Sequence, residues 1–456
     1  MKQCLLVLLV LGGIFALSYR ASATAPSYLW LNPIPTPVAT PPPAVPNKGV
    51  FYLMGSGSTS VPSSGNALWA NTAGVLYRPT WASVEPGGTT QTACASATPA
   101  ADCFDWTDTI DAVLAQLPAG KVAQIQIDMG AYGSPMMAAV CSRFGTNVPH
   151  GCAPWLANAG ATGVTVHSDS GPNGSSGGFT AGTTLIDPDP ANAVFVNAFK
   201  GLVHSFEAKY SGNSQIALVS IPTSSNLGGD LSLMITQSPP CPPPNQNNNC
   251  PEYYGPAWGT ESGTTGSEAN WTTYVVNADN ALWDYEIATL TDQNIVQWTI
   301  PNSFPDITSS TGATDNNIRN LIFQHSNNNQ PANSSYKYSI SNEALQPTSG
   351  WNNAVSTVNG INGSARAGQL GAQMARSEVD ADCTVNNKVV LTPTCIAQGC
   401  ADMVSSVVTY GVPNGLNWAQ VYIPDITNCD ADSITCPFDH TTGTSLACIS
   451  HAMGGP

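Results

Sequence analysis

Short apolar, β-rich runs alternate with amphipathic segments along most of this chain. Eight runs have the length and composition of buried strands: Val50 to Met54, Val75 to Pro79, Val122 to Asp128, Gln215 to Pro222, Ile295 to Ile300, Tyr336 to Ile340, Gln369 to Met374 and Leu416 to Ile423. Helical spacing is clearest from Ala191 to Tyr210, where Phe195, Phe199, Leu202 and Phe206 share a face and Asp189-Pro190 offers a cap followed by proline. A second helix is predicted over Asn270 to Thr291. Weaker patterns cover Trp106 to Leu117, Asp315 to His325, Trp351 to Ile361 and Ile396 to Tyr410, with a very short helix near Ala67 to Ala70.

Strands alternating with helices predict a parallel sheet. The connections are unequal: helix-to-strand links are tight, whereas strand-to-helix links are long, Asp128 to Asp189 and Asn226 to Asn270 above all. Elaboration at every strand end favours a closed (β/α)₈ TIM barrel, an α/β fold, over an open doubly wound sheet, and puts function on the strand-to-helix face.

Composition adds the setting. Met1-Lys2-Gln3, an apolar run from Leu5 to Leu17 and small residues up to Ala25 read as an export signal over residues 1–25. The run falls short of the ~20 residues a membrane-spanning helix needs. A proline-rich tether occupies 26–47, and the folded domain is expected over 48–456, with no membrane insertion and a secreted location, extracellular or periplasmic. Of thirteen cysteines, twelve remain beyond Cys4, an even number suited to disulfides. Near-neighbour staples are expected: Cys94 with Cys103, Cys141 with Cys152, Cys241 with Cys250, Cys383 with Cys395 or Cys400, and Cys429 with Cys436 or Cys448. A formal charge of −16 repels phosphate backbones and excludes nucleic acid as a general partner. The low charged fraction, 9%, suits an extracellular, acidic setting. No CxxC pair or histidine ligand spacing points to a metal, Gly55-Ser56-Gly57-Ser58 lacks a phosphate-loop lysine, and no serine elbow occurs, so no cofactor is expected. Asn173, Asn270, Asn333 and Asn362 lie in glycosylation sequons.

Gly74-Val75-Leu76-Tyr77-Arg78-Pro79-Thr80-Trp81, then Val84-Glu85-Pro86, then Phe104-Asp105-Trp106 resemble the early barrel signature of clan-A-type glycoside hydrolases, in the style of the family 42 β-galactosidase-like barrels. Pro154-Trp155-Leu156 and Gly415-Leu416-Asn417-Trp418-Ala419-Gln420-Val421-Tyr422 extend the likeness over most of the folded chain. The resemblance implies hydrolysis of a poly- or oligosaccharide with retention, Asp230 as acid/base in Ser224-Ser225-Asn226-Leu227-Gly228-Gly229-Asp230, and a nucleophile after the seventh strand, where Glu378 lies. It also has a departure: Gln420 stands where the pattern has glutamate.

Glycoside chemistry needs two carboxyl groups, one protonated and one ionised. Besides Asp230 and Glu378, Glu343 closes Ser339-Ile340-Ser341-Asn342-Glu343 at the end of the sixth strand, and the second role stays open between Glu343 and Glu378. A sugar also wants flat apolar surfaces and planar polar groups. Arg78, Trp81, Asp128, Asn226, Asn302, Trp418, Gln420 and Tyr422 fall at or near strand ends and are the candidate substrate-binding residues. A tryptophan there is more often core packing, whereas Arg78, inside a strand of a charge-poor chain, requires a partner. Of the histidines, His440 after the last strand is the one candidate for a place near the site. A non-catalytic glycan-binding barrel is the alternative function.

Overall fold

The computed structural model describes residues 48–54, 58–87, 94, 96–128, 159–161, 163–167, 184–188, 192–221, 277–290, 296–299, 304–305, 314–315, 338–345, 370–374, 376–386 and 388–456. Eight strands form its centre: β1 (Gly49–Leu53), β2 (Gly74–Tyr77), β3 (Val122–Gln126), β4 (Ile216–Ser220), β5 (Val296–Thr299), β6 (Tyr338–Leu345), β7 (Leu370–Met374) and β8 (Leu416–Val421). Each pairs in parallel with the next, and β8 pairs with β1, so the order closes on itself. The eight strands coincide with the eight apolar runs. One boundary differs in a way that matters: β6 continues to Leu345, so Glu343 lies within the strand rather than beyond it.

Helices fill the connections: α1 (Trp81–Val84), a π-helical turn (Thr107–Asp111) continued by Ala112–Leu114, α2 (Ala193–Tyr210), α3 (Asn277–Thr289), α4 (Glu378–Asp382), α5 (Pro393–Val404) continued by the π-helical Ser405–Gly411, α6 (Ile423–Cys429) and α7 (Ser445–Ala452). In α2 the cap is Asn192, whose side chain accepts from the Val194 and Phe195 amides, so the helix opens after the Asp189-Pro190 start that the sequence offers, a pair outside the described residues. The helices predicted over Asp315 to His325 and Trp351 to Ile361 also lie outside them, except that Asp315 belongs to a short strand, Thr314–Asp315. Among the described residues no helix is long and apolar enough to cross a membrane.

The register fixes which side chains face the barrel lumen. Gln420 on β8 donates from Nε2 to Gln124 Oε1 on β3 at 2.7 Å. Those strands are not neighbours, since β1 and β2 lie between them, so the bond crosses the interior. From this bond, strand alternation and the paired positions assign Phe51, Gly74, Leu76, Val122, Gln126, Leu218, Ser220, Gln297, Gly371, Gln373 and Trp418 to the same inner face. Trp418 is wholly buried in a cluster with Phe51, Val122 and Leu218, forming an apolar floor. Gly371 makes room for it: a Cβ there would sit 1.8 Å from Trp418 Cε2.

Four disulfides are formed by described residues: Cys94–Cys103, Cys383–Cys395, Cys400–Cys429 and Cys436–Cys448. The third corrects the expectation that Cys429 pairs with Cys436 or Cys448. It staples α5 to α6 because those helices pack on each other around the β7 to β8 crossover. Cys141, Cys152, Cys241 and Cys250 lie outside the described residues.

Candidate functional site

Above the apolar floor the lumen becomes polar. Gln124, Gln126, Gln297, Gln373, Gln420 and Ser220 are each at most 4% exposed. Gln373 Nε2 donates to the Tyr422 hydroxyl at 3.3 Å, just past the end of β8. Gln126 Nε2, Gln373 Oε1 and Ser220 Oγ have no hydrogen-bond partner among the described residues. Buried polar atoms of this kind are costly unless water or a bound polar group meets them. Among the described residues, the upper lumen thus holds buried amide and hydroxyl groups with hydrogen-bonding capacity left over.

At the rim, β2 and β3 continue into Arg78 and Asp128. Arg78 Nε lies 3.5 Å from Asp128 Oδ1, with the carboxylate 3% and the guanidinium 15% exposed. The two strand exits are laced by backbone bonds: the Asp128 amide donates to Pro79 O at 2.8 Å and the Trp81 amide to Asp128 O at 2.8 Å. Arg78, Asp128, Gln373, Gln420 and Tyr422 are thus gathered around one end of the barrel.

Two tryptophans assigned to the substrate belong elsewhere. Trp81 is 1% exposed; Thr80 caps α1 immediately after the strand and turns the indole outward, where it meets Phe195 of α2 edge-on at 5.8 Å and donates to Glu85 Oε2 at 2.6 Å. Trp418 lies three residues before the end of β8, too deep to reach the rim, and serves as the floor. In the same outer layer Phe104 stacks on Trp106 at 5.0 Å, and Trp106 meets Phe206 and Tyr210 of α2, so the Phe-Asp-Trp motif is a packing device.

The carboxyl candidates separate. Asp230, Asn226 and Asn302 lie outside the described residues, and of Glu343 the described part is the backbone of β6. Glu378 is the first residue of α4, fully buried, with Oε2 3.3 Å from Arg376 Nη2 and Oε1 without a partner among the described residues. Its bonded neighbours are Arg376 and Asp425, its backbone packs against Gly399 of α5, and burial together with Asp402 and Asp382 raises its pKa against the pull of Arg376. It therefore sits in the helical layer with Arg376 and Asp425. Across from it, Asp425 in the first turn of α6 accepts from Ser377 Oγ at 2.9 Å, the Val379 amide at 2.8 Å and the Glu378 amide at 3.3 Å. Burial pushes the Asp425 carboxyl up to about 6 despite those donors, and the Glu378 charge adds to the rise. Glu85, wholly buried, is likewise pushed well above the usual carboxylate range by burial, against the pull of the Trp81 bond.

These raised acids predict a pH dependence. A carboxyl whose folded pKa exceeds its unfolded value binds its proton more tightly when folded, so its contribution to stability is complete below the unfolded pKa and declines as pH rises. For Asp425 the window runs from 3.8 to about 6, and the loss across it is up to about 3 kcal/mol. Denaturant midpoints are expected to fall between pH 4 and 6.5, with Asp425→Asn flattening the slope.

Among the described residues, one group of three side chains has metal-ligand proximity, Glu85 with Cys94 and Cys103. Those cysteines are bonded to each other, so their thiolates are not offered to a metal.

The sequence signal for the lumen was present as polar residues at every second position, Gln124, Gln126 and Asp128, inside an otherwise apolar strand. Asp425 had no such signal, because its partners are distant in the chain. No family model and no curated protein matches this chain. Among solved structures it is similar to the crystal structure of the catalytic domain of a β-amylase from Paenibacillus polymyxa, at 12% identity and a TM-score of 0.47, over 84% of this chain and 93% of that one.

Proposed function

We propose that this protein is an exported glycoside hydrolase that binds a poly- or oligosaccharide at the amide-lined end of the barrel and cleaves it with two carboxyl groups. The observation that supports the reading is the constellation itself: Gln126, Gln373, Gln420, Tyr422 and the Arg78–Asp128 pair converge where the strands end. Amide and guanidinium groups are planar donors and acceptors that match the hydroxyl rim of a sugar. In this reading Asp230 donates the proton and Glu343, carried by β6, is the second carboxyl. Glu378 is left with a structural part, since it is buried in the helical layer with Arg376 and Asp425. Retention requires the two carboxyls about 5 Å apart and inversion about 6.5–9.5 Å. Neither a metal nor an organic cofactor enters the mechanism.

A second reading, a glycan-binding barrel without catalysis, is favoured by one observation: the described lumen carries amides, Gln420 among them, and its one rim carboxylate, Asp128, is engaged by Arg78. Reducing-sugar release from a panel of plant and microbial polysaccharides separates the two. Asp230→Ala and Glu343→Gln are each expected to lower release by at least about a hundredfold while the protein stays folded, and Glu378→Gln to leave kcat within a few-fold. No release by the wild type, with glycan still bound, would assign the binding function.

A further inference from the structure

Two crossovers meet at one side chain. The chain leaves β7 through Arg376 and Ser377 into α4, and leaves β8 through Tyr422 into α6. Asp425 lies three residues past Tyr422, and the Ser377 turn lies four residues past Gln373, so the carboxylate joins the exits of the strands that carry the Gln373–Tyr422 bond. It does so with donors alone: one hydroxyl and two backbone N–H groups at the opening of α4. Ser377 in turn caps α4 by accepting from the Asp380 amide at 3.0 Å. The surrounding helices are braced by Cys400–Cys429 between α5 and α6 and by Cys383–Cys395 between the end of α4 and α5. Within this braced layer the polar tie is what sets the two exit turns against each other.

We propose that Asp425 is a positioning residue for the barrel mouth: its carboxylate fastens the β7 exit to the β8 exit and so holds Gln373, Gln420 and Tyr422 in their mutual arrangement. That this arrangement serves a carbohydrate rests on the function proposed above.

The titratable groups on the elements packed against α6 are mostly acidic: α4 carries Glu378, Asp380 and Asp382 and α5 carries Asp402, with Arg376 at the β7 exit, His451 on α7 and Tyr52 on β1. Arg376, the arginine paired with Glu378, is 59% exposed, so it screens the buried carboxyls weakly. Ionisation of Glu378 and Asp425 places two like charges where α4 and α6 meet, while the ionised Asp425 is the stronger acceptor for its three donors.

The test reads the wild type, Asp425→Asn and the milder Ser377→Ala by nuclear magnetic resonance between pH 4.5 and 7.5. Expected in Asp425→Asn are at least tenfold faster amide exchange at Glu378 and Val379, an altered Gln373 side-chain amide signal, and unchanged exchange at Val75 and Leu76 in β2. Ser377→Ala should move the same signals less, which keeps the proposal testable if the asparagine variant does not fold. Unaltered exchange at Glu378 and Val379, or altered exchange with a fixed Gln373 signal, overturns the positioning role. A parallel arm titrates a soluble oligosaccharide: weakening of at least fivefold in Asp425→Asn supports the role at that site. Absence of glycan binding in the wild type removes the carbohydrate reading alone, because the resonance arm decides the fastener without any sugar.

Discussion

Alanine at Gly371 is expected to keep the barrel from closing. The new methyl would sit 1.8, 1.9 and 2.4 Å from Cε2, Nε1 and Cζ2 of Trp418, a rigid ring with no exposed edge and a surrounding cluster of Phe51, Val122 and Leu218. Overpacking a core usually costs about 1–3 kcal/mol, and contacts this short against an immovable indole belong at or beyond the upper end. Trp418→Ala should cost about 3–5 kcal/mol by the opposite route, leaving a cavity in the floor. Because the two residues fill one space, the double variant should be more stable than the sum of the single losses implies. Urea midpoints of the four proteins check this, and strict additivity would place the indole elsewhere.

Opening the Cys400–Cys429 bridge should have the next largest effect. Of the four disulfides formed by described residues it closes the longest stretch, 29 residues against 9, 12 and 12 for the others. Loop-closure entropy then assigns it roughly 3.5 kcal/mol. It also joins α5 to α6, whereas Cys436–Cys448 closes a short stretch ahead of and into α7. The Cys400→Ala, Cys429→Ala double variant should therefore unfold at clearly lower denaturant than the Cys436→Ala, Cys448→Ala one. Equal midpoints for the two would show that loop length does not govern stability here.

Both effects sit on structure below and beside the mouth: the floor of the lumen and the helices that follow β7 and β8. The buried Glu378 and Asp425 pair belongs to the same support, and its raised pKa values make the support more stable in acid. That agrees with a chain sparing in charged residues, 9% of the total, and expected to work outside the cell.

Sequence alone located the eight strands of the barrel, because buried parallel strands are near-continuous apolar runs and each was bounded by turn residues. It also picked out Arg78, since an arginine in a strand of so uncharged a chain needs a partner, and the partner is Asp128. The asymmetry of loop lengths indicated the face on which these residues gather. Tertiary structure decided what periodicity leaves open. Trp81 and Trp418 have the same chemistry and similar nearness to strand ends, yet a helix cap turns one outward and strand alternation buries the other. The amide lumen exists only because Gln124 and Gln420, 296 positions apart, meet across a closed ring. Glu378 stands in the sequence as a candidate second carboxyl after the seventh strand, but the packing of α4, α5 and α6 buries it beside Asp425. Local pattern determines which segments are strands and helices because backbone geometry repeats over a few residues. Which side chains meet, and in what dielectric, depends on contacts between segments tens to hundreds of residues apart, and those are fixed only when the barrel closes.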